Sequence, residues 1–404
     1  YLTKNITIMG KFKNNSANVI LTSKITSPKA FSHFIIHSAI HQYFHLKNLK
    51  IQNLIPTLIQ LKYSSKTSIV FENLVVENSN TLVSHTLGSG LLNFTNINAT
   101  LIRSSLISTR FDKDEGTLSF ENVHLSSVSS EIPLIHIERC SSILITNSSF
   151  KHFKSTPFWF SNIKNSIHLN EVGIYSGTTS DVGFISIVNC PFLKIQGLII
   201  QNMTSKNVMK LNGVSNIELK EIVLSHIHCQ SNVMHIEKSN SFLLTKSQIT
   251  SISSSSNPGI DFYQVTTIRL VDSKFLKIKS NSSIESFSGS SSILLFRGLS
   301  NSFIQNCTFL ESDSAIVVRD ESSFRIEHSH FSLMTFGTIH LLSSIGKQHD
   351  ISNCTFSMNS YMNGFGAAIS QIESHSSLTI SNSLFQQNSA IRGGAIYISN
   401  GDSL

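Results

Sequence analysis

The sequence predicts an all-β fold, a right-handed parallel β-helix of about fourteen coils with roughly 25 residues per coil. Three observations predict it. A turn residue recurs at a nearly constant interval, a short alternating apolar strand precedes each turn, and a second such strand lies at a fixed distance upstream. Because one short strand pair cannot bury its apolar face alone, repeats of this length must stack to form a core.

One residue, most often Asn, ends the strand pattern of every repeat. Eleven of the thirteen gaps between successive turn residues lie between 22 and 26 residues. Asn tolerates the left-handed conformation that a tight corner requires, and its amide can form hydrogen bonds along a stack of identical side chains. The turn residues are Asn48, Asn73, Asn96, Asn122, Asn147, Glu171, Gly197, Glu221, Lys246, Asp272, Asn306, His328, Asn353 and Asn382.

Apolar and polar residues alternate just before each turn residue, as in the segments LSFENVHL ending at Leu125 and IELKEIVL ending at Leu224. Alternation with period two is typical of a strand with one buried face. A second apolar pair lies upstream, with one member ten positions before the turn residue, for example at Ile137 and Leu211. The fixed offset predicts that inward residues of successive coils form continuous apolar columns.

The pattern divides the chain into a β-helix over residues 43–404 and an N-terminal cap, or irregular first coil(s), over residues 1–42. The long gap between Asp272 and Asn306 contains a Ser-rich stretch, residues 279–292, that we interpret as a loop leaving a corner. No apolar run reaches the length of a membrane span, and no signal segment begins the chain. Membrane association is therefore expected only through segments outside this chain.

Composition argues against several kinds of function. The net charge is +7, but the Lys and Arg residues are scattered singly, whereas nucleic-acid binders concentrate them on one face. The five cysteines are far apart and give neither a disulfide framework nor a CxxC metal pair. We expect no nucleic-acid partner, no metal and no cofactor.

The last two coils carry a paired motif. It is clearest at Phe385-Gln-Gln-Asn388 followed by Gly393-Gly394-Ala395-Ile396. The preceding coil has a second copy whose positions are Phe356, Asn359, Gly366 and Ile369. These segments resemble the FxxN and GGAI tetrapeptides of the polymorphic membrane proteins of chlamydiae, and they are similar to repeats in surface proteins of parasitic protists. The resemblance covers residues 351–401.

This resemblance implies a surface-exposed or secreted β-helix, in the outer membrane of a bacterium or outside the plasma membrane of a protist. The implied role is adhesion or antigenic display, with a glycan or protein of a host or neighbouring cell as partner. The motif residues themselves predict coil structure, with Phe385 in the core and Asn388 capping a turn. They support the family and do not predict a binding site.

One outward column has the chemistry of a candidate site. Ser186, Lys210, His235 and Asp261 lie eleven residues before the turn in consecutive coils, so they should lie side by side about 5 Å apart. Such a row predicts a binding groove, a hydrolytic array or a solvated face.

An enzyme that acts on polysaccharides is the alternative function, since pectin-lyase-like enzymes have this fold. Such an enzyme needs clustered carboxylates, either a pair for acid/base hydrolysis or a calcium site. The aspartates of this chain are few and mostly lie a coil or more apart, in different columns. We therefore predict a non-enzymatic protein.

Overall fold

The structure is a computed structural model of the chain. It describes residues 6–9, 12–13, 16–17, 20–22, 32–37, 42–52, 57–62, 67–79, 81–84, 90–111, 116–129, 132–179, 183–255, 259–280, 292–298, 301–342, 345–372 and 375–399. The chain forms two compact units, Tyr1–Ile199 and Ile200–Leu404. The regular elements of the described residues are all β-strands.

The strands of the first unit are β1 (Ile6–Met9), β2 (Phe12–Lys13), β3 (Ser16–Ala17), β4 (Ile20–Thr22), β5 (Ser32–His37), β6 (Gln42–Gln52), β7 (Thr57–Lys62), β8 (Thr67–Glu77), β9 (Val83–Ser84), β10 (Gly90–Thr100), β11 (Ile107–Arg110), β12 (Thr117–Val128), β13 (Ile135–Glu138), β14 (Ser142–Phe153), β15 (Phe158–Ser161), β16 (Ser166–Thr179) and β17 (Ile185–Gln196).

From residue 199 onward the strands are β18 (Ile199–Ser205), β19 (Met209–Lys220), β20 (Val223–Cys229), β21 (Met234–Thr245), β22 (Gln248–Ser254), β23 (Ile260–Val271), β24 (Lys274–Ser280), β25 (Ser292–Arg297), β26 (Asn301–Gln305), β27 (Thr308–Leu310), β28 (Ser314–Arg319), β29 (Ser323–Glu327), β30 (His330–Ser332), β31 (Ile339–Leu342), β32 (Ile345–Ser352), β33 (Thr355–Ser357), β34 (Ser360–Phe365), β35 (Ile369–Ile372), β36 (His375–Ser381), β37 (Leu384–Gln386), β38 (Ser389–Arg392) and β39 (Ile396–Ser399).

Long strands of neighbouring coils pair in parallel and in register. In the first unit, Leu92 of β10 lies opposite Ile69 of β8 and opposite Leu118 of β12. The column then continues through Ile143 and Ile167. Both units are right-handed parallel β-helices with about 25 residues per turn, and there are about 12 turns where about fourteen were predicted. The predicted fold class is confirmed.

The region before residue 43, predicted as a cap or irregular coil, contains strands that also pair in parallel. Strands β1 and β4 pair with β6, and β5 pairs with β7. The predicted Ser-rich loop over residues 279–292 lies almost wholly outside the described residues. Only its ends are described, in β24 and β25.

The predicted corner column is confirmed at every position. All fourteen turn residues, with their varied side chains, have positive φ angles between 47° and 66°. The side chains of the first four Asn residues of the column form a ladder. Asn73 Nδ2 donates to Asn48 Oδ1 at 3.0 Å, Asn96 to Asn73 at 2.9 Å, and Asn122 to Asn96 at 3.1 Å. The amide therefore satisfies its polar groups along the stack.

A second left-handed column lies five residues after the first and was not predicted. Its members include Leu101, His226 and Met358, whose φ angles are 56°, 54° and 53°. Leu and Met have no preference for this conformation. The register of the stacked strands, and not the residue type, therefore places the backbone there.

The core is built from columns of stacked side chains. In the second unit five phenylalanine rings stack in succession, with centroids 4.8 to 4.9 Å apart. This spacing equals the distance between neighbouring strands, so each ring lies over the ring of the next coil. The stack consists of Phe275, Phe309, Phe331, Phe356 and Phe385.

Candidate functional site: the Asp261 network

Three of the four residues of the predicted outward column lie directly opposite one another in the second unit. Lys210 of β19 pairs with His235 of β21, and His235 pairs with Asp261 of β23. Lys210 and His235 are half-buried. Asp261 is only 2% exposed, so this part of the column is not a solvated face.

Ser186, the fourth residue of the column, lies in the first unit and is also buried. It pairs with Trp159, whose indole stacks on the imidazole of His136 with ring centroids 4.6 Å apart. Burial lowers the pKa of His136 below its usual value, although Glu138 nearby opposes that shift. The first unit therefore presents an aromatic pair at this position.

The burial of Asp261 follows from the strands that come after it. Asp261 lies opposite Leu295 of β25, and Leu295 lies opposite Val317 of β28. Both apolar residues are at most 5% exposed. Strands with apolar residues on both faces, such as SILLFR and SAIVVR, are typical of strands that are covered on both sides. The outward column that contains Asp261 is therefore buried from Asp261 to Val317.

The carboxylate of Asp261 accepts hydrogen bonds from three side chains. His235 Nδ1 lies 2.9 Å from Oδ2, and Asn232 Nδ2 donates to the same oxygen at 3.1 Å. Arg297 donates through Nε to Oδ1 at 2.9 Å and through Nη2 to Oδ2. Burial opposes ionisation, but the hydrogen bonds from His235 and Arg297 outweigh it and hold the pKa of Asp261 below its usual value.

A second outward column runs beside the first, two residues further along each strand. It contains Asn212, Glu237, Tyr263 and Arg297 on consecutive coils. Asn212 Nδ2 donates to Glu237 Oε2 at 3.1 Å, and the Arg297 guanidinium lies 5.3 Å from the centre of the Tyr263 ring. We call these four residues, together with Lys210, Asn232, His235 and Asp261, the Asp261 network.

His235 lies between two carboxylates in this network. Its Nδ1 contacts Asp261, and its Nε2 lies 3.8 Å from Glu237 Oε2. Because ionised Asp261 can only accept, Nδ1 must carry a proton. The Asp261 contact thereby fixes the tautomer and the orientation of the imidazole, and leaves Nε2 to face Glu237.

Sequence reasoning missed Arg297, Glu237 and Asn232. Arg297 is 36 residues from Asp261 because the interval that separates them contains the long Ser-rich stretch, which breaks the 25-residue register. Glu237 could have been found by its alternation with His235 on the same strand. Asn232 lies before β21 in the connection from β20, and the period gives no signal for it.

The residues of the paired motif serve the coil structure. Asn388 Oδ1 accepts from both the backbone N and the Nδ2 of Asn359, and Asn388 Nδ2 donates to the carbonyl of Phe356. Phe356 stacks on Phe385, and Ile369 pairs with Ile396.

The glycine half of the motif lies at the following corner. Gly366 and Gly393 have φ angles of 64° and 60°, a region that glycine adopts without strain. The neighbouring residues Gly394 and Ala395 accept backbone hydrogen bonds from Ala367 and Ala368 of the coil before. The motif is thus built into the corner and the strand that follows it.

Three further features of the described residues concern binding. They contain no group of three or more His, Cys, Asp or Glu side chains that could hold a metal ion. None of their segments is a helix long and apolar enough to cross a membrane. All five cysteines are free and buried.

Comparison with known proteins bears on the fold. A family model described as a right handed beta helix region matches residues 210–404. The matched segment includes all eight residues of the Asp261 network. No curated protein matches the chain, and no solved structure matches it.

Proposed function

We propose that this chain is a non-enzymatic, surface-exposed or secreted β-helix that presents its outward strand faces to a ligand, in adhesion or antigenic display. The observation that carries the proposal is the state of Asp261, whose carboxylate is ionised and engaged by three side chains. A carboxylate in this state positions His235 and Arg297, and it is poorly suited to exchange protons as a general acid.

The Asp261 network is a preorganised recognition surface in this proposal. Its side chains are held by one another on parallel strands, so little conformational entropy is lost when a ligand binds. Lys210 forms no ion pair with any other described residue, and its side chain is half-buried. A host or neighbouring-cell glycan or protein that offers hydrogen-bond acceptors would fit this mixed surface.

The paired FxxN and GGAI motif supports a location at a cell surface as well as the β-helix fold. Its resemblance to the repeats of chlamydial polymorphic membrane proteins favours an exported protein at a cell surface. The motif residues fill coil positions in the second unit, as repeats of a display scaffold would. The glycan or protein partner then depends on outward residues and not on the motif.

The test is a binding array of glycans and host proteins probed with the purified chain. We expect at least one ligand whose binding weakens in the variants Lys210→Gln and His235→Gln. His228→Gln and Lys274→Gln are matched controls, because both residues are exposed on other strands. Ligand binding that is unchanged in both network variants would remove the Asp261 network as the site. An array without any ligand would contradict the adhesive function.

A polysaccharide-acting enzyme is the second candidate, and His235 is the observation that favours it. An imidazole oriented by a carboxylate is the arrangement that a general base requires. Incubation with acidic polysaccharides and measurement of new reducing ends or unsaturated ends tests this function. Turnover that is lost in His235→Gln but retained in His228→Gln would establish the enzyme and overturn the non-enzymatic proposal.

A further inference from the structure

A groove on another face of the second unit carries a further inference, which rests on the proposed function. It is a cavity of about 460 Å³ over the outward faces of β23, β26, β29 and β32. This volume lies within the range of small-molecule sites, about 300 to 1,000 Å³. We call it the Phe303 groove, and it lies on different strand segments from the Asp261 network.

The floor of the groove is one column of the sheet. Arg269, Phe303, Arg325 and Asp350 lie directly opposite one another on consecutive coils. The Phe303 ring is half-buried, and the Arg269 guanidinium lies 5.8 Å from its centre. An aromatic ring with a cation over it therefore forms the centre of the floor.

The cations of the groove differ in how far they are already neutralised. Arg325 Nε donates to Glu327 Oε1 at 2.6 Å, and Lys347 Nζ lies 3.9 Å from Glu321 Oε2. Arg269 forms no ion pair with any described carboxylate and is exposed. Its planar fork of donors matches a carboxylate in bidentate geometry, so Arg269 is the group best placed to bind an anion.

The sides of the groove carry neutral polar groups. Thr267, Asn301 and Ser323 form the adjacent outward column, and Ser323 Oγ donates to Asn301 Oδ1 at 2.7 Å. Gln348 Nε2 donates to the Asp350 carboxylate at 3.1 Å. Hydroxyl and amide groups on both sides of an aromatic floor suit a ligand with many hydroxyl groups and one apolar ring face.

We propose that the Phe303 groove binds an acidic saccharide. The sugar ring packs its C–H face on Phe303, its hydroxyl groups bond to Thr267, Asn301 and Gln348, and its carboxylate pairs with Arg269. A neutral sugar lacks the group that Arg269 recognises. An acidic peptide would use Arg269 but would not need the aromatic floor.

The test is isothermal titration of the full chain with two acidic probes, trigalacturonate and 3′-sialyllactose, and with their neutral counterparts, α-1,4-linked galactotriose and lactose. We expect at least one acidic probe to bind and its neutral counterpart to bind at least about tenfold more weakly, since charge-assisted hydrogen bonds are roughly twice as strong as neutral ones. Binding should also weaken as salt is raised.

Variants locate the site. Arg269→Gln should weaken the acidic probe by at least about tenfold, and Arg269→Lys should have a smaller effect because it keeps the charge but loses the fork. Phe303→Leu should weaken acidic and neutral probes alike. Arg103→Gln is the matched control, an exposed arginine of the first unit. Circular dichroism and thermal melting confirm that each variant is folded.

Three results would overturn the proposal: binding by none of the four probes, equal binding of acidic and neutral probes, or unchanged binding in Arg269→Gln. Preferential binding of an acidic peptide that is insensitive to Phe303→Leu would also overturn it. The glycan and host-protein binding array distinguishes failure of the groove proposal from failure of the adhesive function. A ligand found there whose binding is insensitive to Arg269→Gln leaves the adhesive function intact and removes the groove.

Discussion

Replacing Asp261 by Asn is the sharpest perturbation of the Asp261 network, because it removes the negative charge and keeps the shape. Breaking a buried charge pair costs about 3 to 5 kcal/mol when the partner stays buried. Here the Arg297 and His235 side chains are 36% and 22% exposed and can regain water. We therefore discount the cost to about 2 kcal/mol.

The effect has a defined pH dependence. Folding lowers the pKa of Asp261 below its ordinary value of 3.8, so the folded state favours the carboxylate relative to the unfolded chain. The stabilisation is complete at neutral pH, and it is lost as pH falls from 3.8 through the lower pKa of the folded state. The difference between wild type and Asp261→Asn should shrink over that window.

Hydrogen exchange measured by mass spectrometry is the suitable assay, because stacked coils can open locally and need not unfold in one step. Peptides that cover β21, β23 and β25 should exchange faster in Asp261→Asn at neutral pH. Asp272→Asn is the control. Asp272 is an exposed corner residue that accepts from Asn306 Nδ2 at 2.7 Å, and Asn already occupies this corner in other coils.

We expect the control to change stability by less than about 0.5 kcal/mol. Equal exchange in Asp261→Asn and Asp272→Asn would refute the reasoning. A difference that grows as the solution is acidified would refute it too, since the charged form would then not be the stabilised one.

Three further predictions concern the coils. Gly366→Ala should destabilise the last coils by more than about 1 kcal/mol in urea unfolding, because φ is +64° and a Cβ would lie 2.1 Å from the Ile369 carbonyl oxygen. Gly394→Ala is the control and should be nearly neutral, because its Cβ would meet no atom closer than 3.5 Å. Equal losses of stability in the two variants would contradict the corner geometry. Phe331→Ala should cost about 3 to 5 kcal/mol by opening a cavity in the ring stack, and a loss below about 1 kcal/mol would show that the rings are not tightly packed. Burial raises the pKa of the Cys229 and Cys307 thiols to about 12. At pH 8 a thiol reagent should therefore label these cysteines slowly in the native chain and fully in the guanidinium-unfolded chain. Rapid labelling of either cysteine in the native chain would contradict its buried placement.

The 25-residue period of the sequence was enough to predict the coils, because every repeat must bury its apolar face against the next one. Asn48, Lys246 and His328 could be aligned although their chemistry differs, since the apolar alternation before them sets the register. The second left-handed column at Leu101 and Met358 could not be predicted. Leu and Met carry no preference for that conformation, and stacking on the neighbouring coils places the backbone there.

The candidate site was only partly predictable for a related reason. Lys210, His235 and Asp261 lie in coils of regular length, so their alignment followed from counting. Arg297 lies in the 34-residue interval between the turn residues Asp272 and Asn306, after the Ser-rich stretch. A 25-residue period cannot align a residue that follows such an insertion. The pairing register of β32 with β36 shifts between Ile345 and Gln348, and residues 346–348 line the Phe303 groove. A single-sequence period does not reveal such an irregularity.

The central claim is that the coils stack in register as a parallel β-helix. Distances between spin labels on one outward column test this claim most directly. Each chain carries one label at Lys47 and a second label at Glu121, Thr146 or Asn170, and its buried cysteines are replaced by alanine. The three label pairs span three, four and five coils of the first unit. Coils stacked in register predict distances that increase by about 4.8 Å per coil. Distances that do not increase linearly along this series would contradict the β-helix.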